Sequence, residues 1–324
     1  MLPKSFDSLS LPVVAAPMFL ISGPQLVIES CKQGIVGSFP ALNHRTTEGF
    51  NDWLTEIEES LDGYRRPDGS PAAPYAVNLI VHRTNPRLQA DLEVVVRRKV
   101  PIVITSLGAV SDLVDAVHSY GGLVFHDITT RRHAEKAAEA GVDGLILVTA
   151  GAGGHAGTAN PLALVAEVRS FFDKTILLSG CIGTGSDVAA ALQMGADLAY
   201  MGTRFINTTE AKAPPEYQQM IIDSNISEIV YTAAVSGVPA NFLRHSLESA
   251  GITEELWSRK ARVDFGEELN AQEAEAKAWK TIWSAGQGTT SVKDVLPVAE
   301  LVERLKREFR EAVQRQCGLL ERYL

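Results

Sequence analysis

Cysteine is scarce in this chain. Cys31, Cys181 and Cys317 are widely spaced and odd in number. No CxxC or HExxH pattern occurs, so neither a disulfide framework nor a zinc site is supported. A reducing cytoplasm is the expected compartment. Positive charge is also scarce. Thirty Lys and Arg stand against 39 Asp and Glu, a net charge of −9. A general nucleic-acid or membrane-surface binder needs the opposite balance. Long apolar runs are missing too. Leu11–Ile21 is interrupted by Pro12 and Pro17 and is too short to span a bilayer. The start, Met1-Leu2-Pro3-Lys4-Ser5-Phe6-Asp7, lacks the pattern of a signal peptide.

What remains is an ordinary soluble globular composition. The chain has 324 residues, 45% hydrophobic and 21% charged, ample for a sizeable core. Short apolar runs alternate with longer helix-periodic segments. The candidate strands are Val13–Ala16, Ile35–Phe39, Tyr75–Leu79, Ile102–Thr105, Leu123–His126, Leu145–Val148, Thr175–Ser179 and Leu198–Met201. They are nearly continuously apolar, as strands of a parallel sheet buried on both faces must be. Two joints repeat one another, Glu139-Ala140-Gly141-Val142-Asp143 and Gln193-Met194-Gly195-Ala196-Asp197. In each, the glycine suits the left-handed end of a helix and the aspartate opens the turn into a strand. Eight such strand–helix units predict an α/β fold, a (β/α)8 TIM barrel. A doubly wound open sheet is the competitor.

After Met201 the pattern changes. Residues 208–280 show no clear strand, several helix-like runs and a charged tract from Glu254 to Lys277. The expectation is a barrel made of 1–207 and 281–324, with a helical insertion over 208–280 between strand 8 and helix 8. Without it the chain has about 250 residues, the usual size of such a barrel.

In this fold the active site lies at the C-terminal ends of the strands. The most informative stretch there is Thr149-Ala150-Gly151-Ala152-Gly153-Gly154-His155-Ala156-Gly157, after strand six. Its glycines permit positive φ and close approach of the backbone to a ligand. His155 is the acid/base group set among them. Ser179-Gly180-Cys181 and Met201-Gly202-Thr203 follow strands seven and eight, the usual phosphate grip of the fold. No lysine follows the glycines, so this is not a nucleotide P-loop. Asn78 ends strand three with an amide that both donates and accepts, suited to a heterocycle edge. Thr105-Ser106 ends strand four, and His126 and Asp127 end strand five and could face the same pocket; for His126 a structural role and a catalytic role both stay open. His44, His82, His118, His133 and His245 read as surface or capping residues. Cys181 reads as a small packing residue. Tyr231, Phe242 and Trp283 read as core rather than pocket wall.

Ala16-Pro17-Met18, Val77-Asn78-Leu79, Gly153-Gly154-His155-Ala156-Gly157, Ser179-Gly180, Met201-Gly202-Thr203-Arg204-Phe205 and Trp283-Ser284-Ala285-Gly286-Gln287 resemble, in order and spacing, the motifs of the nitronate monooxygenase family. The resemblance covers nearly the whole chain. It implies an FMN-dependent barrel with a helical lid. Ala16, Pro17 and Met18 would lie against the isoalloxazine, and Asn78 would bond the ring edge. Gly153 and Gly154 would approach the flavin. The segments holding Ser179, Gly180, Cys181, Met201, Gly202 and Thr203 would hold the phosphate, and His155 would be the catalytic base. The implied reaction oxidises alkyl nitronates, and neutral nitroalkanes if His155 removes the α-proton, with O2 to carbonyl compounds and nitrite. NAD(P)H:quinone reductase and flavin-dependent enoyl-acyl carrier protein reductase are the alternatives within the resemblance, and they would bring NAD(P)H as a partner. No nucleic acid or membrane is expected as partner, and the chain is expected as a monomer or homodimer. It departs from the family in having Asp127 where some relatives carry lysine, and Cys181 where a second glycine is common.

Overall fold

The computed structural model describes residues 2–323 apart from 83, 109–110, 236 and 258–280. Eight parallel strands close into a barrel. In order they are β1 (Val13–Ala15), β2 (Val36–Pro40), β3 (Tyr75–Ile80), β4 (Ile102–Ser106), β5 (Leu123–Ile128), β6 (Gly144–Val148), β8 (Thr175–Ser179) and β9 (Leu198–Met201). They match the expected eight to within one or two residues at each end. β1 pairs with β9 as Val14↔Tyr200 and Ala15↔Met201, which leaves no edge. β7 (Gly154–His155) stands outside the barrel. The seventh and eighth barrel strands are therefore β8 and β9.

Around the barrel run α1 (Pro24–Lys32), α2 (Thr47–Leu61), α3 (Leu88–Arg98), α4 (Ser111–His118), α5 (Arg131–Glu139), α6 (Pro161–Arg169) and α7 (Gly185–Gln193). Helical spacing in the sequence predicts the fourth helix over Val110–Tyr120, and Val110 lies outside the described residues. Helix starts are set by side-chain caps. The Thr46 and Thr130 hydroxyls accept from Gly49 and His133 N–H, and Thr184 forms a capping box with Asp187. Gly141 and Gly195 take φ of +89° and +105°, as the repeated joints require. Their aspartates do more than open a turn. An Asp143 oxygen accepts the Val124 N–H at 2.8 Å, and Asp197 accepts that of Ile176 at 2.8 Å. Each carboxylate thus ties the start of one strand to its neighbour.

Successive strand residues face opposite sides. One buried set fills the barrel: Val14, Val36, Ala76, Ile102, Ile104, Phe125, Ile146, Leu177 and Leu198. Phe6 joins it from the N-terminal side, its ring 6.0 Å from that of Phe125. The alternate residues, including Val77, Leu79, Val103, Val124 and Ile128, belong to the cluster packed against the helices.

After β9 come two short helices, α8 (Thr203–Ile206) and α9 (Pro215–Asp223). The insertion departs from expectation. Besides α9, α10 (Arg244–Ser249) and α11 (Glu254–Trp257), it holds two antiparallel strands, β10 (Ile229–Thr232) and β11 (Ala240–Leu243). β11 also pairs with β7, so His155 lies in a three-stranded sheet ordered β10-β11-β7. The charged tract lies mostly in 258–280, outside the described residues. The long α12 (Val298–Tyr323) closes the ring of helices, packing on α7 and α1. A Cβ on Gly185 would run into the Leu305 carbonyl, and the Gly185 N–H donates to Glu308 at 2.8 Å. Among the described residues no helix is long and apolar enough to cross a membrane.

Candidate active site

The barrel interior changes character at the C-terminal ends of the strands. Two residues beyond Val36, Ala76, Ile104, Phe125, Leu177 and Leu198 stand Ser38, Asn78, Ser106, Asp127, Ser179 and Tyr200. By the two-residue period these share the inward face. An apolar barrel is thus topped by one polar layer, where this fold places its chemistry.

Several of these polar groups bond one another. Asn78 is buried, and its Nδ2 donates to the Ile104 carbonyl at 3.2 Å and to Ser106 Oγ at 2.8 Å. Ser106 Oγ donates to Asp127 Oδ2 at 2.5 Å. Asp127 Oδ1 is shut from solvent with no partner. Burial pushes the Asp127 carboxyl up to about 6, against the opposing pull of the Ser106 bond. Burial, and the nearby Asp127 charge, hold the Tyr200 phenol well above its usual range.

His126 falls on the other face. It shares the outward side with Val124 and Ile128, and its Nδ1 lies 2.7 Å from the Thr105 hydroxyl. Burial first, and the His133 charge second, bring its pKa down to about 4. His126 is therefore a neutral, satisfied histidine beneath the helices. Of the pair ending β5, only Asp127 faces the mouth.

Ala16, Pro17 and Met18 form the loop after β1. The Ala16 N–H bonds the Met201 carbonyl at 2.9 Å, and the Ser22 hydroxyl accepts the Met18 N–H at 2.9 Å. A Cβ on Gly202 would touch Ala16 and Met18, so the loops after β1 and β9 share one wall. Leu20, Leu107 and Cys181 hold φ of +62°, +63° and +59°. Each follows a strand end, at β1, β4 and β8. Left-handed backbone at residues with a Cβ is strain of the kind that gathers at functional sites.

Glycine has separate reasons along the glycine–histidine segment. A Cβ on Gly153 would lie 2.8 Å from Gly286 N and 3.1 Å from Thr203 Oγ1. Its bare face is thus needed for packing on the 285–286 segment rather than for an approach to a ligand. Gly154 has φ +68° and meets nothing within 4 Å, so its face is open. Gly286 N–H donates to Thr203 Oγ1 at 2.9 Å, and Gln287 N–H to the Gly151 carbonyl at 2.8 Å. The Trp283–Gln287 motif therefore clamps two site loops together.

The insertion holds the same segment from above. β11 pairs with β7 as Ala240↔His155 and Asn241↔Gly154. Buried Asn241 donates Nδ2–H to the Ala152 carbonyl at 2.7 Å, and the Tyr231 hydroxyl donates to that of Ala156 at 3.0 Å. Tyr231 is exposed, not core as expected. Phe242 is core as expected, and Trp283 stacks on Tyr217 with centroids 5.0 Å apart. His155 is exposed, and desolvation by the protein around it lowers its pKa. Its imidazole is suited to accept a proton.

The phosphate grip is narrower than the motif suggested. Asp187 already accepts the N–H groups of Gly183 and Thr184 at 3.0 and 2.9 Å. With Gly185 bound to Glu308, these three N–H groups at the start of α7 are already taken. Among the described residues, the N–H groups of Gly180, Cys181, Gly202 and Thr203 have no protein acceptor. Gly180 has φ +128°, and a Cβ there would overlap the Thr149 hydroxyl. Cys181 is exposed rather than packed inside. Desolvation, then the Asp187 charge, raises its thiol pKa.

The sequence profile described as nitronate monooxygenase matches residues 4–308. The chain belongs to the nitronate monooxygenase family. It is therefore an enzyme of oxidoreductase type. A nitronate monooxygenase from Paraburkholderia phytofirmans is 26% identical across 94% of this chain and 93% of its own. Nitroalkane oxidase from Streptomyces ansochromogenes shares the fold with a TM-score of 0.79 at 24% identity, over 96% of this chain and 99% of that one. FabK from Thermotoga maritima shares it with a TM-score of 0.78 at 22% identity, over 98% of both. The (β/α)8 barrel expected from the strand pattern stands on the closed sheet and on these neighbours. An open cleft of about 560 Å³ beside Glu58, Asp62, Tyr64 and Tyr75 lies at the N-terminal end of β3, away from the family motifs.

Ser106 and Asp127 stand among the strand-end residues read from the sequence, but their bonding to Asn78 had no sequence signal. Sequence reasoning missed Asn241 and took Tyr231 for core. Both hold the glycine–histidine segment across a long-range strand pairing, which has no local signal.

Proposed function

We propose that this chain is an FMN-dependent nitronate monooxygenase, converting alkyl nitronates and O2 to carbonyl compounds and nitrite. The observation that carries the reading is the arrangement of three elements at one barrel mouth. Four unpartnered N–H groups at Gly180, Cys181, Gly202 and Thr203 suit a phosphate. The polar layer around Asn78 suits a ring edge. His155 lies beside the open face of Gly154. When bound, FMN supplies the electron acceptor and the chemistry with oxygen.

The chain's own residues do the rest. Gly180, Cys181, Gly202 and Thr203 would hold the phosphate, and Ala16, Pro17 and Met18 would wall the ring. The neutral imidazole of His155 accepts the α-proton of a nitroalkane. A substrate that arrives as the nitronate has no such proton to lose, and His155 then only orients it. His155→Asn should keep FMN bound while activity on neutral nitroalkane falls by about 10²–10⁴, the worth of a general base. Activity on nitronate should fall far less, and equal losses on both would sink the base assignment. Anaerobic mixing with NADH and NADPH separates the alternatives: rapid flavin bleaching favours a reductase.

A further inference from the structure

The Ser106 hydroxyl has one proton, and it goes to Asp127 Oδ2 at 2.5 Å, the length of a charge-assisted O–H···O⁻ bond. Toward its other neighbour Ser106 Oγ can only accept, and the neighbour is Asn78 Nδ2 at 2.8 Å. The second amide proton of Asn78 goes to the Ile104 carbonyl at 3.2 Å, a longer bond favouring the same orientation. Both amide protons are then committed. Oδ1, an acceptor, is what Asn78 has left to offer a ligand.

Asp127 is an expensive way to hold that arrangement. Its Oδ1 is shut from solvent without a partner, and a buried charge with an unmet oxygen disfavours folding. Burial accordingly pushes its carboxyl up to about 6. A group kept at a cost to stability, on the inward face of the site, is a candidate for function.

We propose that Asp127 is a positioning residue. Acting through Ser106, it locks the Asn78 amide so that the cleft presents a hydrogen-bond acceptor and selects a ring edge bearing an N–H. This rests on the FMN reading, since the pyrimidine edge of a flavin carries such an N–H. Without the Asp127 acceptor, the Ser106 proton is free to meet Asn78 Oδ1. The amide then turns and presents N–H donors to a ring N–H, which repels them.

The test is a double-mutant cycle on FMN affinity, read by titrating apoprotein with FMN. Asp127→Ala and Asn78→Ala should each weaken binding by about tenfold, the upper range for one hydrogen bond. Because Asp127 acts through Asn78, the double variant should bind no worse than Asn78→Ala alone. The melting temperature of Asp127→Ala apoprotein should equal or exceed that of the parent, which a merely structural carboxyl would not allow. Losses that multiply in the double variant, or parental affinity in Asp127→Ala, would overturn the proposal. The relay is also read without flavin. The Asn78 side-chain amide resonances, assigned by their loss in Asn78→Ala, should shift in Asp127→Ala, and unchanged resonances would overturn the relay. A parent protein that binds no FMN defeats the functional reading instead, while those resonances still decide whether Asp127 orients Asn78.

Discussion

Asn241 is where the insertion grips the glycine–histidine segment, and its removal should be felt in two separate measurements. Its amide donates to the Ala152 carbonyl at 2.7 Å, and both residues are buried. Asn241→Ala deletes the donor and leaves that carbonyl without a partner or water. The lost bond and the orphaned acceptor together are worth about 1–3 kcal/mol. For a chain of this size that is a fall of roughly 1.5–4.5 °C in melting temperature. The second effect is on rate. Asn241 is paired with Gly154, and Ala240 with His155, so loosening the pair lets the imidazole drift. A displacement near 1 Å can reduce turnover by about 10². FMN affinity should hardly change, because the phosphate donors lie on the loops after β8 and β9. The assay is a thermal melt beside steady-state turnover of a neutral nitroalkane and of its nitronate. A variant that melts like the parent, or loses FMN before losing turnover, would refute the idea that the hairpin positions His155.

Two further outcomes follow from the site. Desolvation lowers the His155 pKa below its ordinary 6.5, so the neutral, proton-accepting form persists into more acidic solution. The acid limb of the kcat/KM profile for a neutral nitroalkane should therefore fall below pH 6.5, and a limb at or above that value would contradict His155 as the base. Gly180→Ala forces φ +128° on a residue with a Cβ and drives that Cβ into the Thr149 hydroxyl. The strain is worth about 1–3 kcal/mol, and FMN retention on gel filtration should fall with it, whereas full retention would place the phosphate elsewhere.

The barrel was legible because its code is local. Continuous apolar runs such as Leu145–Val148 and the repeated glycine–aspartate joints need no knowledge of distant residues. Candidate site positions were legible where strand ends and the loops after them carry unusual residues, as at Asn78, Gly180 and His155. It was obscure where function depends on which face a residue takes. His126 and Asp127 are adjacent, and only the inward register of Phe125 separates a helix-facing histidine from a mouth-facing carboxylate. The hairpin was obscure for another reason. Runs of four residues such as Ile229–Thr232 are too short for periodicity to separate strand from helix. Its pairing with Gly154–His155 joins segments far apart in sequence.

That pairing has a consequence for how the enzyme can change. His155 is stitched to the insertion by backbone hydrogen bonds and to the barrel by the chain on either side of it. An alteration of the hairpin that reshapes the roof for a bulkier substrate would also tug on His155, the proposed proton acceptor. With His155 as the base, selectivity and speed would be mechanically coupled, so variants that broaden the substrate range through β10 and β11 should seldom keep the parental rate.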